Sequence, residues 1–369
     1  MAVPDSEAPM RVAVTLEQCW HRVPGGTARA TLDTVDAVAA RGGVDQVGVS
    51  AWHRSPAPDD WTPRIEVRRL PLPRIALYDA WQRLRHPVVE RATGPVDLVH
   101  ATGHVAAAGR APLVASVWDL SFLHDPTHFT ARGISVFTRF LAVVRAEAAM
   151  VICPSEATRA DCLEAGIDAP RLRVAPLGTS ARPATDVDVS RVRATYDLPR
   201  PYVLFVGTVE PRKNLGRLLE AFARLGDIDV DLVLVGPEGW RTDLPATRAR
   251  RLGFVPRDDL RALYAGAAVV AYPSLREGFG LPVLDAMAQG ASVVTSSTTS
   301  TAEVAGDAAL LVDPLDVDAI AGALARLLDD RELADRLGAA ARHRAAEFTW
   351  ARTAEAVVAA YDVVLGRQP

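Results

Sequence analysis

"YVLFVGTVEPRKNLGRLLEAF", residues 202–222, reads as three pieces. YVLFVG is a continuous apolar run with no polar alternation, the mark of a strand buried on both faces of a sheet. TVEPRKN is a polar loop, and a helix begins near Leu215. Strand, loop and helix in that order form half of a βαβ unit. The same order recurs downstream, with strands expected at DLVLVG (231–236), RLGFV (251–255), AVVAYPS (268–274), SVVTSS (292–297) and ALLVDP (309–314). Upstream the candidates are RVAVTL (11–16), DLVHA (97–101), LVASVWD (113–119), MVICPS (150–155) and RLRVAPLG (171–178). Between the two series lies the polar stretch TSARPATDVDVSRVRATYDLPR, with Pro183 and Pro199 inside it. The expected organisation is α/β, with two doubly wound Rossmann-like domains facing each other across a cleft. Domain one takes residues 1–180, a linker 181–200, and domain two 201–369, the terminal helix crossing back to the first.

Composition narrows the function classes. A chain of 369 residues is too long for one core and suits two domains. No apolar run reaches the roughly 18 residues that span a bilayer. MAVPDSEAPM at the N-terminus lacks the regions of a signal peptide, so the expected location is cytoplasmic. Cys19, Cys153 and Cys162 form no CxxC pair and no His-rich cluster, which argues against a disulfide framework and a zinc site. The net charge of −4 gives no pull toward nucleic acid.

Ligands of doubly wound sheets bind beyond the carboxyl ends of the strands, so the loops there carry the chemistry. The 41 Lys plus Arg of the chain include one lysine, Lys213, next to Arg212 in the loop after YVLFVG. An ammonium is a compact point charge that enters a narrow approach where a planar guanidinium does not. With a helix N-terminus close by, the pair reads as a phosphate clamp. The second loop is SLREGFGLPVLDAMAQG (274–290). There Gly278 and Gly280 let backbone approach a ligand, Pro282 suits a first helical turn, and Glu277 and Asp285 are two acids able to divide sugar from ribose. Gly25 and Gly26, in VPGGTARATL (23–32), open a further helix and suggest another anion-facing N-terminus in the first domain.

VGTVEPRKNLGRLLEAF (206–222), GFVPRDDLRALYAGA (253–267), PSLREGFGLPVLDAMAQG (273–290) and AEVAGDAALLVDP (302–314) together resemble the retaining glycosyltransferases of family four. Looser support comes from GG at 25–26, DLVHATGH at 97–104 and VWDLSFLHDP at 117–126. The resemblance implies the GT-B fold, a cytoplasmic enzyme, and a mannosyltransferase-like activity with GDP-mannose as the favoured donor. It gives Arg212 and Lys213 to the donor diphosphate, Glu277 to the transferred sugar, the backbone of Phe279, Gly280 and Leu281 to the phosphates, and Asp285 to the ribose. The family has glutamate at the last position, so Asp285 is one methylene short. Asp119 falls at the reacting centre, and before it stands Trp118 where relatives commonly have histidine. An indole only donates, which leaves His104 and His124 as the imidazoles able to take that place.

No cofactor is implied, because cationic side chains and helix dipoles suffice to stabilise a departing diphosphate. The strings DIDVD (227–231) and DVD (186–188) read as solvated turns and not as metal ligands. The partners implied are a nucleotide-sugar donor and a glycan or lipid-linked saccharide acceptor. Trp52, Trp61, Tyr78 and Trp81 among Arg64, Arg68, Arg69, Arg74, Arg83 and Arg85 are compatible with a lipid-linked phosphate, a peripheral membrane contact or an ordinary solvated surface. Two rivals stand beside the transferase. A dinucleotide oxidoreductase lacks GxGxxG after its first strand, since GFGLPV has Pro and Val where the fingerprint needs glycine. A non-catalytic sugar-nucleotide binder would use the same pocket for sensing.

Overall fold

The structure is a computed structural model that describes residues 9–21, 23–179, 182–239 and 249–367. Residues 1–8 of the segment searched for a signal peptide, and Ser180 and Ala181 of the polar stretch, lie outside the described residues. The chain divides into two compact units, Met1–Leu177 with Trp350–Pro369, and Gly178–Thr349.

Among its described residues the first unit has a seven-stranded parallel sheet in the order β3-β2-β1-β4-β5-β6-β7. The strands are β1 (Met10–Thr15), β2 (Val44–Ser50), β3 (Val67–Arg69), β4 (Leu98–Ala101), β5 (Leu113–Ser116), β6 (Ala148–Cys153) and β7 (Leu172–Val174). Two of them, β2 and β3, were not among the strands expected. Asp45, Gln46 and Gly48 dilute the apolar run of β2. The outermost strand, β3, is three residues long and exposes Arg68 and Arg69, as a short, charged sheet edge should. Buried side chains cover both faces of this sheet, with Leu77, Trp81 and Phe140 in one cluster and Val35, Val357 and Tyr361 in the other.

The helix Trp350–Leu365 belongs to this unit, where it packs on the helix Gly25–Arg41 and against β6 and β7. A buried polar chain pins it. The Tyr361 hydroxyl and His100 Nδ1 are 2.7 Å apart, and His100 Nε2 lies 2.9 Å from Ser116 Oγ. Burial lowers the His100 pKa to about 3, so the imidazole is neutral and acts as one donor and one acceptor.

The second unit carries a six-stranded parallel sheet among its described residues, ordered β10-β9-β8-β11-β12-β13. Its strands are β8 (Tyr202–Val206), β9 (Asp231–Val235), β10 (Arg250–Gly253), β11 (Val269–Tyr272), β12 (Val293–Ser296) and β13 (Leu310–Val312). The polar stretch expected as a linker is instead a helix of this unit, Asp186–Thr195. Thr185 and Asp188 close a reciprocal capping box at its start, and Val192 is fully buried. Its outer face docks through Arg191 to Asp259, at 2.7 Å, and Tyr196 to the same carboxylate, at 2.8 Å. Low hydrophobicity hid this helix, because capping and ion pairs hold most of it in place. The acidic strings are corrected in part. Asp186 and Asp188 stand in that helix's first turn; in the other string Asp227 and Asp229 are exposed as expected, while Asp231 is a buried β9 residue paired with Arg200 at 2.9 Å.

Among the described residues no helix is long and apolar enough to cross a membrane, and no group of three or more His, Cys, Asp or Glu is arranged to hold a metal ion.

Candidate active site

The order of the second sheet reverses at β8, whose neighbours are β9 on one side and β11 on the other. The loops leaving β8 and β11 therefore flank the switch point at which doubly wound sheets bind ligands. The β8 loop leaves through Gly207, which packs on Gly236: a Cβ at Gly236 would stand 2.2 Å from the Gly207 carbonyl oxygen. It then makes a short 3-10 turn at Pro211–Lys213 and ends at Asn214, which is left-handed with φ 60°. The buried Asn214 side chain donates to Pro273 O at 2.9 Å and Pro314 O at 2.6 Å, tying together the loops after β8, β11 and β13.

Hydroxyls fix the β11 loop from below. Thr295 donates to Tyr272 O at 2.9 Å, Ser296 to Ser274 O at 2.5 Å and Ser300 to Glu277 O at 2.8 Å. Gly280, at φ 107°, caps the helix Leu281–Ala288. A Cβ there would stand 2.7 Å from Thr301 Cγ2. Glycine is thus required where backbone turns into the helix.

Five side chains meet at this point. Lys213 Nζ lies 2.6 Å from Glu277 Oε1, and Arg212 Nη1 lies 3.1 Å from Glu277 Oε2. Arg212 Nε also contacts Glu210 Oε1 at 2.7 Å. Lys213 donates to the Tyr272 hydroxyl, which is 3.1 Å from Glu277 Oε1. The ammonium also stands 4.9 Å from the Tyr272 ring centroid. Burial raises the Glu277 pKa, but the Lys213 and Arg212 cations outweigh it and bring the carboxyl down to about 2. Burial and the neighbouring Arg212 lower Lys213, against the upward pull of Glu277 and Glu210. The result is a dense, desolvated set of charges in which two cations already hold an anion.

Arg212, Lys213 and Glu277 are thus brought together. Phe279 is buried against Phe348, with ring centroids 5.9 Å apart. Asp285 is buried in the middle of its helix, where Oδ1 accepts from Thr179 Oγ1 at 2.9 Å. Sequence reasoning missed two members, Glu210 and Tyr272. As the last residue of β11, Tyr272 looked like part of the apolar strand, and its hydroxyl carries no local signal.

The remaining candidates belong to the first unit. Gly25 and Gly26 open the helix Gly25–Arg41 with no side-chain cap, Gly25 at φ 64°. His104, after β4, lies against the rings of Phe137 and Phe140. Asp119 accepts from Ser121 N at 2.9 Å. Trp118 donates to Thr102 O at 2.6 Å, so its indole N–H is spent on holding the β4 loop. His124 faces the buried Asp161 at 3.0 Å. The basic and aromatic residues from Trp52 to Arg85 do not form one patch. Trp81 is in the core, Arg64 and Arg68 face Asp36 and Glu66, and Arg85 holds Glu147 and three backbone carbonyls. Trp52 remains 50% exposed.

Comparison with known proteins identifies the family. Residues 24–182 match the model "Glycosyltransferase Family 4" and residues 188–344 match "Glycosyl transferases group 1". O-antigen chain mannosyltransferase B of Escherichia coli is 34% identical over 270 residues, covering 68% of this chain and 70% of that one. The chain belongs to glycosyltransferase family four. A second relative, MMP alpha-(1->4)-mannosyltransferase of Mycolicibacterium hassiacum, is 34% identical over 232 residues, 58% of this chain and 54% of its own length. Among solved structures, HepE of Anabaena in complex with UDP and glucose superposes with a TM-score of 0.76 at 19% identity, covering 96% of this chain and 99% of that one. WaaG, a glycosyltransferase involved in lipopolysaccharide biosynthesis, gives 0.74 at 20% identity, covering 96% and 100%. These likenesses give the family-four chain its fold, GT-B with two Rossmann-like domains.

Proposed function

We propose that this family-four glycosyltransferase moves a hexose, mannose by preference, from a nucleoside-diphosphate sugar such as GDP-mannose to a glycan or lipid-linked saccharide. It does so with retention of configuration, without a metal ion, and from the cytoplasmic side. The observation that carries this proposal is the convergence of Arg212 and Lys213 on one carboxylate at the sheet's switch point. Two cations that hold an anion in place, Lys213 buried and Arg212 half-buried, are equipped to receive the two negative charges of a diphosphate. The mannosyltransferase names of the relatives support the sugar.

In the reaction the bond from the anomeric carbon to the phosphate oxygen breaks, and a bond to the acceptor oxygen forms on the same face. The acceptor proton leaves with the diphosphate. Lys213 and Arg212 neutralise the charge that builds on the leaving group, aided by the backbone N–H groups of Phe279, Gly280 and Leu281 at the start of the helix Leu281–Ala288. Glu277 positions the sugar and Asp285 the ribose. In the first unit Gly25 and Gly26 face an anion, while Asp119 and His104 serve the acceptor side.

A non-catalytic binder of nucleotide sugars remains the second reading, favoured by Trp118, whose N–H is committed to Thr102 and which cannot accept a proton. Hydrolysis of the donor without acceptor separates the two, since a pure binder shows none. The first test is a thermal-shift screen of GDP, UDP, ADP and dTDP and their sugars, with chelator, on wild type and Lys213→Ala. One nucleotide family should raise the melting temperature, and Lys213→Ala should bind it at least about tenfold more weakly, a charge-assisted contact being worth about 1.5 kcal/mol or more. No shift with any nucleotide, or equal shifts in both proteins, overturns the donor assignment.

A further inference from the structure

We propose that Tyr272 is a positioning residue of the donor site, its hydroxyl fixing the direction in which the Lys213 ammonium presents its remaining N–H. The proposal rests on the donor role of Lys213 given above.

An ammonium has three N–H groups on a freely turning stem, so it has no direction of its own. Here one N–H goes to the Tyr272 hydroxyl and one to Glu277 Oε1. With two corners of the tetrahedron occupied, the third is set. The phenol is itself immobile. Tyr272 is fully buried, stacks on Phe205 with ring centroids 5.8 Å apart, and lies under the ammonium it binds. Its hydroxyl accepts from Lys213 and stands 3.1 Å from Glu277 Oε1, to which its own proton can be donated. The phenol thus joins the cation to the anion on both sides. Burial, and next the Glu277 charge, push the Tyr272 pKa well up, so the phenol keeps the proton it donates.

A phenylalanine would keep the ring, the stack and the face toward Lys213 while removing this link. Because a net neutral hydroxyl is lost between two ions, Lys213 would be left with one partner fewer and its charged form would be less favoured.

Lys213 is the only lysine of the chain, which makes the test direct. In protein labelled with [6-13C]lysine, one side-chain methylene resonance reports its titration without any donor. Tyr272→Phe should titrate at lower pH than wild type. Donor hydrolysis by the same variant should lose about tenfold in kcat with little change in donor KM, as expected for about 1.4 kcal/mol lost only when charge builds on the leaving group. Tyr272→Leu, which also removes the ring, should lose donor binding as well.

A merely structural tyrosine would leave the Lys213 titration unmoved. An unchanged titration in folded Tyr272→Phe, or unchanged kcat, overturns the proposal. Absence of nucleotide binding in wild type is a different failure: it removes the donor assignment, while the lysine resonance still decides whether Tyr272 holds Lys213.

Discussion

Asn214→Ala should destabilise the second unit more than any other single truncation in the β8 loop. Two costs add. Alanine at φ 60° incurs the left-handed penalty of about 1 kcal/mol that asparagine largely escapes. The Pro273 and Pro314 carbonyls lose their Asn214 donor, at about 1–3 kcal/mol for each buried acceptor left unpaired. The sum is about 5 kcal/mol, taking about 2 kcal/mol for each carbonyl. For a unit the size of Gly178–Thr349 each kcal/mol moves the melting temperature by about 2–4 °C, so a drop of about 10–20 °C is expected in scanning calorimetry. Asn214→Gly separates the terms, because glycine accepts the backbone angle but donates nothing from a side chain. It should recover about 1 kcal/mol and no more. If Asn214→Ala melts within about 2 °C of wild type, or Asn214→Gly restores full stability, the three-loop tie is not what holds this site.

Two further outcomes bear on the same unit. Glu277, held at about 2 against an ordinary 4.5, is a depressed carboxyl. Its contribution to stability is present above about pH 4.5 and is lost as pH falls toward about 2; at most it amounts to about 3 kcal/mol, offset by the cost of burying Lys213. Urea unfolding of wild type and Glu277→Gln from about pH 6.5 to about pH 3 should therefore show a gap that narrows to about half or less on acidification, and a gap independent of pH would refute the ionic account. Thr185→Ala breaks the capping box of the helix Asp186–Thr195 and should cost about 1 kcal/mol in the same urea assay, whereas a flexible linker would show no change.

Much of this was legible along the chain. YVLFVG and AVVAYPS announce buried strands because an apolar run without alternation has few other soluble fates, and the sites of Arg212, Lys213 and Glu277 follow from the loops that leave those strands. Gly280 and Pro282 mark a helix start by backbone chemistry alone. The helix at Asp186–Thr195 was obscured because its stability comes from caps and ion pairs with partners about 65 residues away, such as Asp259. Strand β3 was obscured because a short edge strand carries the charges that keep sheet edges from pairing, and β2 because Asp45, Gln46 and Gly48 interrupt its apolar run.

The sequence by itself determined the alternation of strands and helices, the two parallel sheets and the loops that bear charge, since each of these is encoded within a dozen neighbouring residues. Only the tertiary structure decided which side chains pin the terminal helix to the first unit, Tyr361 and His100, and that Lys213, Arg212, Tyr272 and Glu277 form one cluster. Strand order, not local pattern, sets which loops become neighbours, and a side chain's partner some 60 residues distant is fixed only when the sheet is assembled.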